Sequence, residues 1–475
     1  MKNNREKNLV KNTIIIFLSK FCTQFLSFFL LPLFTALLST EEYGYFDLYS
    51  TYAWLIAIFL TLQLENAMFR FLIDKRENQD GIKNIISNGS IVIFIQFFLF
   101  AILFFIGLKL FNIKNIEYIF IMTIATSLLN LMLQIARGFG KNIDYSIASI
   151  ISGVLNVICC ILFLKILNLK LLGIVLSYVI SNLVAALYLI FKLRIYRYIN
   201  FKLLSKTKIK ELLAYSFPLI PNSLSSWIMS ISDKVMISML LGVSLNGIYS
   251  VSTKFSILLS HIFTVFSLSW TESASMSTSD SDRGAFFSKV INNIFFIGAF
   301  ICIIMLTSMP VLFKILIEES YLSAYNYIPI LIFASFFELF STLIGGIFIA
   351  LKKPKEIAIT TIIGGIINIT INFLLLKKYG IIIACVSTLA SYIYISIARY
   401  IKISKHIRIK LDYKKYVFLF IVYLACTYMY KYNSVIVSVI SVPIICLLFI
   451  IIDYKYILRI AEQVLHKLKP ANKNQ

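Results

Sequence analysis

The chain has 475 residues, of which 59% are hydrophobic and only 14% are charged, and its mean hydropathy is +0.87. This composition excludes a soluble globular protein and is typical of a protein that crosses a membrane many times. The net charge of +23 comes without an aromatic-interleaved basic domain of the kind that binds RNA or DNA. We therefore assign the charge to basic loops and expect no nucleic-acid partner.

Stretches of about 20 apolar residues predict fourteen transmembrane helices, because a helix of that length crosses the hydrocarbon core of a bilayer. The connections are short, and even the longest, 271–286, is too small to be a domain. In chain order the predicted helices cover 12–38, 45–72, 86–108, 116–136, 143–164, 171–192, 212–241, 247–270, 287–309, 326–350, 357–376, 380–401, 416–432 and 434–452.

The distribution of Lys and Arg predicts how these helices are oriented. With the N-terminus inside, the inner segments hold 33 basic residues and the outer loops hold 8, which is a strong positive-inside signal. Both termini are therefore expected in the cytoplasm. The two most basic inner loops, 192–210 and 399–415, follow the sixth and twelfth helices and divide the chain into six, six and two helices.

Internal similarity supports this division. A Leu-Leu, Gly, Ser pattern at 37–50 recurs as Leu-Leu, Gly, Thr at 240–253, offset by 203, and Ser152–Asn156 matches Gly364–Asn368, offset by 212. Because six is even, the halves share one orientation, as in transporters that alternate access between two lobes. We predict an all-α integral membrane protein with an N-terminal lobe at 1–200, a second lobe at 201–415, two additional helices at 416–453 and a cytoplasmic basic tail at 454–475.

Four cations interrupt the apolar stretches instead of lying between them: Lys20, Arg70, Lys234 and Lys254. A charge inside a bilayer costs a few kcal/mol or more, so it rarely persists there without a use. These four fall in the first two predicted helices of each half. A cationic interior that is repeated in both halves indicates a path for something negatively charged.

Three predicted helices carry a polar stripe along one face, because their polar residues recur three, four or seven positions apart. Such stripes are expected of helices that line a cavity, although small hydroxyl groups can equally pack one helix against another. The stripes are Lys20, Gln24 and Ser27 in the first helix, Ser223, Ser226, Ser230 and Asp233 in the seventh, and Ser250, Lys254 and His261 in the eighth.

Each cation also has a structural alternative. Lys20 and Lys254 lie about eight residues, or about 12 Å, inside their helices, which is a long way for a side chain to reach back to the interface. Lys234 adjoins Asp233, so an ion pair within or between helices competes with a role in the cavity.

Arg70 lies nearest to a helix end. It could be a cation of the cytoplasmic interface, paired with Glu65 or Asp74, or it could bind a phosphate group through its two-pronged guanidinium.

Five further residues are candidates for coupling or movement. Glu338, in the tenth helix, could bind a coupling proton or Na⁺, or could be the counter-ion of one of the lysines. Pro32, Pro218 and Pro221 are expected to bend their helices, either as pivots or to improve packing. Arg137 ends the fourth helix at the cytoplasmic face and is either a loop cation or part of an inner gate.

The sequence carries no sign of an enzyme. No Walker A, HExxH or GxSxG motif occurs, and the predicted outer loops of about five to sixteen residues leave little room for catalytic groups. This argues against a membrane glycosyltransferase or a polysaccharide polymerase. All seven cysteines lie in apolar stretches without metal-ligand spacing, so we expect no metal site and no cofactor.

The second half contains three groups of residues in a characteristic order: Phe217–Pro221 with Trp227 and Asp233–Ile237, then Gly247–Ser250 with Lys254–Phe255 and Trp270, then Gly364–Asn368 with Asn372, Tyr379–Ile382, Ala384, Ser387 and Thr388. Together they resemble the polysaccharide and O-antigen flippases. The sequence departs from that pattern after Trp270, where Thr271-Glu272 replaces the usual Pro. The resemblance implies the multidrug/oligosaccharidyl-lipid/polysaccharide exporter superfamily and its two-lobed, V-shaped, MATE-like fold.

The resemblance also implies a function. We expect a flippase of the bacterial inner membrane that moves an undecaprenyl-diphosphate-linked oligosaccharide, an O-antigen or capsule repeat unit, to the outer leaflet by alternating access. Its expected partners are that glycan, membrane lipid, and the polymerase and glycosyltransferases of the pathway, with coupling to an H⁺ or Na⁺ gradient as an option. The alternative is a cation-coupled multidrug exporter, which would favour acidic groups where this chain places basic ones.

Overall fold

The structure is a computed structural model that describes residues 28–110, 115–278 and 280–452, together with Thr23, Phe25 and Leu26. Across these residues all regular structure is helical. The α-helices are α1 Leu31–Leu37, α2 Thr40–Thr61, α3 Leu64–Asp74, α4 Gln79–Leu110, α5 Ile116–Gly138, α6 Asn142–Cys160, α7 Lys170–Lys192, α8 Lys206–Ser216, α9 Leu219–Leu240, α10 Val243–Met276, α11 Arg283–Leu316, α12 Ile328–Ala350, α13 Pro354–Tyr379, α14 Ile382–Ser404, α15 Tyr413–Tyr430 and α16 Val435–Ile452.

Four short helical segments complete the described chain. A π-helical turn, Ile161–Ile166, continues α6, and 3₁₀ helices cover Ile195–Tyr198, Phe201–Leu203 and Glu319–Tyr327. Every predicted segment contains a helix among the described residues, which for 12–38 is α1. The predicted tail at 454–475 and most of 12–27 fall outside the described residues.

Eight of the described helices are long and apolar enough to cross a membrane, and nine spans result if α2 and α3 are counted as one. The chain is therefore a multi-pass membrane protein. Helices α9, α10 and α15 are not among these eight, and α16 is apolar but shorter.

The predicted helix 45–72 is wrong in one respect, because it is broken. Helix α2 begins with a capping box in which Ser39 and Glu42 bond each other's backbone N–H groups. It stops at Leu62 and Gln63, whose φ angles of 48° and 58° are left-handed, and α3 then leaves at an angle of 55°. Neither residue is Gly or Pro, so composition contains no sign of this break.

The prolines lie where helices begin, and their role as bends stays a prediction. The predicted helix 212–241 is two helices, with Pro218 as the N-cap of α9 and Pro221 in its first turn. Pro32 lies in the first turn of α1. A helix start tolerates proline because the first N–H groups have no partner within the helix.

The helices form two groups that share part of one hydrophobic core. In the first lobe, α2 packs on α5, and α7 packs on α5 and α6; in the second, α12 packs on α10 and α14, and α13 packs on α14. Helices α15 and α16 pack on α11 at the side of the second lobe. The principal contact between the lobes is the one that α2 makes with α10.

That contact is made by residues that the internal repeat relates to each other. A Cβ atom on Gly44 would overlap the carbonyl oxygen of Val243, and a Cβ atom on Gly247 would overlap that of Thr40. Gly247 follows Gly44, and Val243 follows Thr40, by the 203 residues of the repeat, so the contact is reciprocal about a pseudo-two-fold axis. The absence of side chains at both glycines lets the two backbones touch.

Candidate functional site

A polar cavity of about 540 Å³ lies in the second lobe between α9, α10, α12 and α14, with α2 of the first lobe closing one side. It combines charged, hydroxyl and aromatic groups, which suits a polar ligand better than a purely apolar one. Its lining consists of Trp54, Ile231, Asp233, Lys234, Tyr249, Thr253, Ser256, Ile257, Ser260, His261, Leu331, Ala334, Ser335, Glu338, Thr388 and Tyr392.

Lys234 connects this cavity to the first lobe. Its Nζ atom lies 2.8 Å from Oδ1 of Asp47 on α2, and the Ser250 hydroxyl donates to Oδ2 of the same carboxylate at 2.7 Å. Lys254, on α10, also interacts electrostatically with Asp47. The ion pair of Lys234 is thus made between lobes, and not with the adjacent Asp233.

Asp233 is held by neutral donors. The Tyr249 hydroxyl, the Asn372 amide and the Thr388 hydroxyl donate to its oxygens at 2.9, 2.6 and 2.7 Å. Asn368 is part of the same cluster and donates to Thr388. The amide oxygen of Asn372 is buried without a hydrogen-bond partner among the described residues, which leaves an acceptor beside the carboxylate.

Glu338 lies on the cavity wall contributed by α12. Its carboxylate accepts a hydrogen bond from the Ser260 hydroxyl, and Tyr392 is a further hydrogen-bond partner. Lys234, which could have been its counter-ion, is paired with Asp47 instead.

An apolar groove of about 270 Å³ lies on the opposite side of α12, between that helix, α11 and α15. Phe333, Phe336 and Phe337 of α12 face the groove, whereas Ser335 and Glu338 face the polar cavity. The remaining lining residues of the groove are Phe295, Ala299, Ile303, Tyr416, Val417, Leu419, Phe420 and Tyr423.

The family model described as polysaccharide biosynthesis protein matches residues 9–271, more than half of the chain. The chain belongs to this family. No individual protein of curated function matches the sequence at a significant level.

Solved structures of the same fold include two kinds of transporter. The structure of the lipid II flippase MurJ in an inward closed conformation has a TM-score of 0.68 at 16% identity, over 94% of this chain and 100% of that one. A multidrug resistance MATE family transporter of the MOP superfamily gives 0.66 at 16% identity in its inward-facing conformation, over 80% and 95%. An outward-facing conformation of such a transporter gives 0.57 at 15% identity, over 83% and 94%. The MATE-like, two-lobed fold is therefore confirmed.

The predicted site residues of this family member separate into three groups. Asp233, Lys234, His261 and Glu338 line the cavity, whereas Lys254 interacts electrostatically with Asp47 and is not one of the lining residues. Lys20 and Gln24 lie outside the described residues.

Arg70 is not brought to the cavity, which corrects its placement among the cavity cations. It pairs with Asp74 at 2.6 Å on α3, and its side chain is 48% exposed. The break at Leu62 carries α3 away from the line of α2, so Arg70 adopts the interface alternative.

Arg137 lies in the last turn of α5, with its guanidinium 4.6 Å from the centre of the Phe69 ring. Arg76 donates to the carbonyl oxygens of Arg137 and Gly138 at 3.0 and 2.7 Å, tying α5 to the end of α3. A role for Arg137 in an inner gate stays a prediction.

Two charged residues of the interior were missed by the sequence reasoning. Asp47 looked like an ordinary residue of the first turns of a helix, although an acid beside apolar residues is itself a signal. Arg399 was counted with the inner loop, but it is 7% exposed within α14. Its guanidinium donates to Thr360, Ser341 and Thr361, which joins α12, α13 and α14.

Proposed function

We propose that this chain is a flippase that carries an undecaprenyl-diphosphate-linked oligosaccharide from the inner to the outer leaflet of the bacterial inner membrane. The observation that carries the proposal is the pairing of a polar cavity and an aromatic groove on opposite faces of α12. A substrate with a polar, charged head and a long apolar tail requires both environments at once. The family of polysaccharide biosynthesis proteins supports a glycan as the head.

In this proposal the head group enters the cavity. Lys234 supplies positive charge, and the low dielectric of the site strengthens its attraction for a diphosphate. Ser256, Thr253 and Tyr392 offer hydroxyl groups for sugar hydroxyls, while Trp54 offers an aromatic face. Lys254 would add positive charge through its interaction with Asp47, and Lys20 is a further cation that the sequence predicts in the interior.

The prenyl tail stays in the bilayer and lies against the groove. Val417 and Phe420 of α15 are 58% and 46% exposed, so the groove is open at the side of the protein. Sliding an apolar chain past aromatic rings costs little, because neither partner loses hydrogen bonds. This gives α15 a role that its sequence alone did not suggest.

Alternating access would follow from rocking of the two lobes. In this structure the lobes touch where α2 and α10 begin, through a Thr40–Ser244 hydrogen bond of 2.7 Å and a bond of 3.2 Å from Asn246 to the Gly44 carbonyl. In the orientation predicted from Lys and Arg, these are the outer ends.

Coupling to an H⁺ or Na⁺ gradient completes the proposal. Asp233 and Glu338 are bonded by hydroxyl and amide groups and not by a lysine, so each can take up a cation without first losing an ion pair. Asp233→Asn and Glu338→Gln should make transport independent of the gradient. Equal sensitivity of both variants and wild type to a protonophore and to Na⁺ removal would contradict this.

A cation-coupled multidrug exporter is the second candidate, and the two carboxylates in the cavity favour it. The two functions differ in what the cell loses. If the chain is a flippase, deleting the gene should remove surface glycan, and complementation should restore it. Susceptibility to cationic drugs should not change. Altered drug susceptibility with unchanged surface glycan would favour the exporter.

The direct test uses purified full-length protein in liposomes with a fluorescently labelled undecaprenyl-diphosphate disaccharide. The protein should accelerate loss of label to a membrane-impermeant quencher. Lys234→Met should slow this strongly, whereas Lys431→Met, a change in an exposed turn outside the cavity, should not. Equal rates for both variants would contradict a cationic head-group site.

A further inference from the structure

The ion pair between Asp47 and Lys234 lies at the junction of two regions. Lys234 lines the cavity, while Asp47 belongs to the first lobe and to the contact that closes the outer ends of α2 and α10. Both side chains are largely buried, at 14% exposure for Lys234 and 8% for Asp47. The same ammonium group therefore serves the cavity and the contact between lobes.

The charges around Asp47 are unequal. Lys234 and Lys254 both interact with this one carboxylate, whose remaining oxygen accepts the Ser250 hydroxyl. Two lysines thus share a single carboxylate at this side of the cavity. A diphosphate carries more negative charge than a carboxylate and is a better counter-ion for such a pair.

Separation of the lobes breaks this arrangement. When α2 moves away from α9, Asp47 is hydrated at the opening, but Lys234 stays on the wall of the cavity without its partner. Leaving one member of a buried ion pair unpaired is strongly unfavourable. An anion already present in the cavity removes that penalty, whereas an uncharged ligand does not.

We propose that Asp47 and the diphosphate of the substrate compete for Lys234. In the closed arrangement Asp47 is the partner of Lys234, and a bound diphosphate takes its place. Binding of the substrate in the cavity thereby releases the contact between the lobes. The proposal rests on the flippase function and adds an explanation of how the protein stays closed when no substrate is bound. The lysine suits this exchange because its flexible stem can turn one ammonium group from one anion to another. A ligand that interacts with only one of two states shifts the population towards that state.

The contact can be followed with a disulfide. In the full-length protein, with the seven native cysteines replaced by serine or alanine, Thr40→Cys and Ser244→Cys place thiols where two hydroxyl oxygens lie 2.7 Å apart. Oxidation should cross-link the empty protein efficiently. Saturating undecaprenyl diphosphate should lower the yield severalfold. Undecaprenol should not change it, and inorganic diphosphate tests the charged group without the tail.

Two variants test the role of the ion pair itself. Asp47→Asn should cross-link poorly even without a probe, and neither this variant nor Lys234→Met should respond to undecaprenyl diphosphate. The matched control is Lys402→Met, which removes the lysine of another ion pair, with Glu356, and should respond like wild type. If undecaprenyl diphosphate lowered cross-linking of Asp47→Asn as much as it does for wild type, the proposal would be overturned. If Asp47→Asn fails to fold, the same result in Lys234→Met would overturn it.

A separate binding measurement distinguishes this inference from the proposed function. If undecaprenyl diphosphate is retained by the protein and labelled substrate is flipped, but cross-linking is unchanged, the exchange at Lys234 is refuted and the flippase function stands. If the lipid is neither retained nor flipped, both are refuted. Equal loss of cross-linking with undecaprenol would also refute the exchange, because it would show that the tail alone separates the lobes.

Discussion

Lys254 lies within α10, where a charge is costly, and its ammonium group interacts with one buried carboxylate, that of Asp47. Asp47 in turn depends on Lys234 and Ser250. At the scale of single residues, the interior of this protein is a set of shared charges and not a set of isolated ones. Replacing any one of them changes the electrostatic environment of the others.

Lys254→Ala should therefore reduce glycan export strongly, and Lys254→Arg should restore part of it, because charge is what the head group needs. The same holds for Lys20→Ala and Lys20→Arg. The alanine variants should still reach the membrane, since losing a buried cation removes an insertion cost of a few kcal/mol. The measurement is surface glycan per folded molecule in a strain without the native gene.

An exposed lysine provides the control for these variants, and Lys431→Ala should export at the wild-type level. Wild-type export by Lys20→Ala and Lys254→Ala, alone and combined, would contradict a cationic path while leaving the fold unaffected.

Arg399 offers a second test at this scale. Its guanidinium bonds groups on two helices besides its own, at 3.1, 2.8 and 2.9 Å from Thr360, Ser341 and Thr361. Arg399→Lys cannot reproduce that fork and should destabilise the second lobe by about 1–3 kcal/mol, as expected for buried polar groups that lose their partners. Thermal unfolding in detergent measures the change. An unaltered melting temperature would show that these hydrogen bonds do not contribute to the stability of the second lobe.

At the scale of helices, two features shape the first lobe and its contact with the second. The break between α2 and α3 lies in the first lobe, and Ser223 of α9 donates to the Gln63 side chain there at 3.0 Å. The close approach of α2 and α10 depends on Gly44 and Gly247. One feature allows a change of direction within a span, and the other allows two spans to touch.

Gly44→Ala and Gly247→Ala should weaken the closed contact, because the added methyl group would overlap a carbonyl oxygen of the facing helix. Overpacking of this kind costs about 1–3 kcal/mol. The Thr40→Cys, Ser244→Cys cross-link should fall accordingly.

Gly107→Ala is the matched control, since a Cβ there meets nothing within 4 Å. It should leave cross-linking unchanged and should strengthen α4 by up to about 1 kcal/mol. If Gly107→Ala lowered the cross-link as much as Gly44→Ala does, the close approach would not be the cause.

At the scale of the whole molecule, the structure fixes which loops share a face. Thr40 bonds Ser244, and Tyr321 donates to the carbonyl oxygen of Ser39 at 2.8 Å, so the starts of α2 and α10 and the 3₁₀ helix Glu319–Tyr327 lie together. Lys208 of α8 lies 4.5 Å from the Phe71 ring of α3, beyond the far end of α2. Which of these two faces lies in the cytoplasm is predicted from the positive-inside rule.

Reporter fusions should therefore give an inside signal after Lys208 and after Lys410, and an outside signal near Thr40, Ser244 and Glu319. The reason is the 33 to 8 distribution of basic residues. An outside signal at Lys208 would contradict both the six-helix repeat and the predicted orientation. A fusion near Glu319 that disagreed with one near Thr40 would contradict the fold itself.

The sequence by itself determined the class of the protein and the approximate positions of its helical segments, and it indicated the duplication. Those properties follow from local constraints, because the length of an apolar stretch and the charge of the loops beside it depend on the bilayer and not on distant residues. It also singled out Asp233, Lys234 and Lys254. Their cost in a membrane is visible without knowledge of their partners.

Only the tertiary structure decided what those charges meet. The partner of Lys234 is Asp47, 187 residues away, and not the neighbouring Asp233, because α2 and α9 come together only in the folded protein. The burial of Arg399 has the same origin. The break at Leu62 arises in residues with no intrinsic preference for a left-handed backbone, so packing and not local propensity imposes it. The separation of a polar cavity from an apolar groove by α12 likewise exists only once α9, α10, α11, α14 and α15 have packed around that helix.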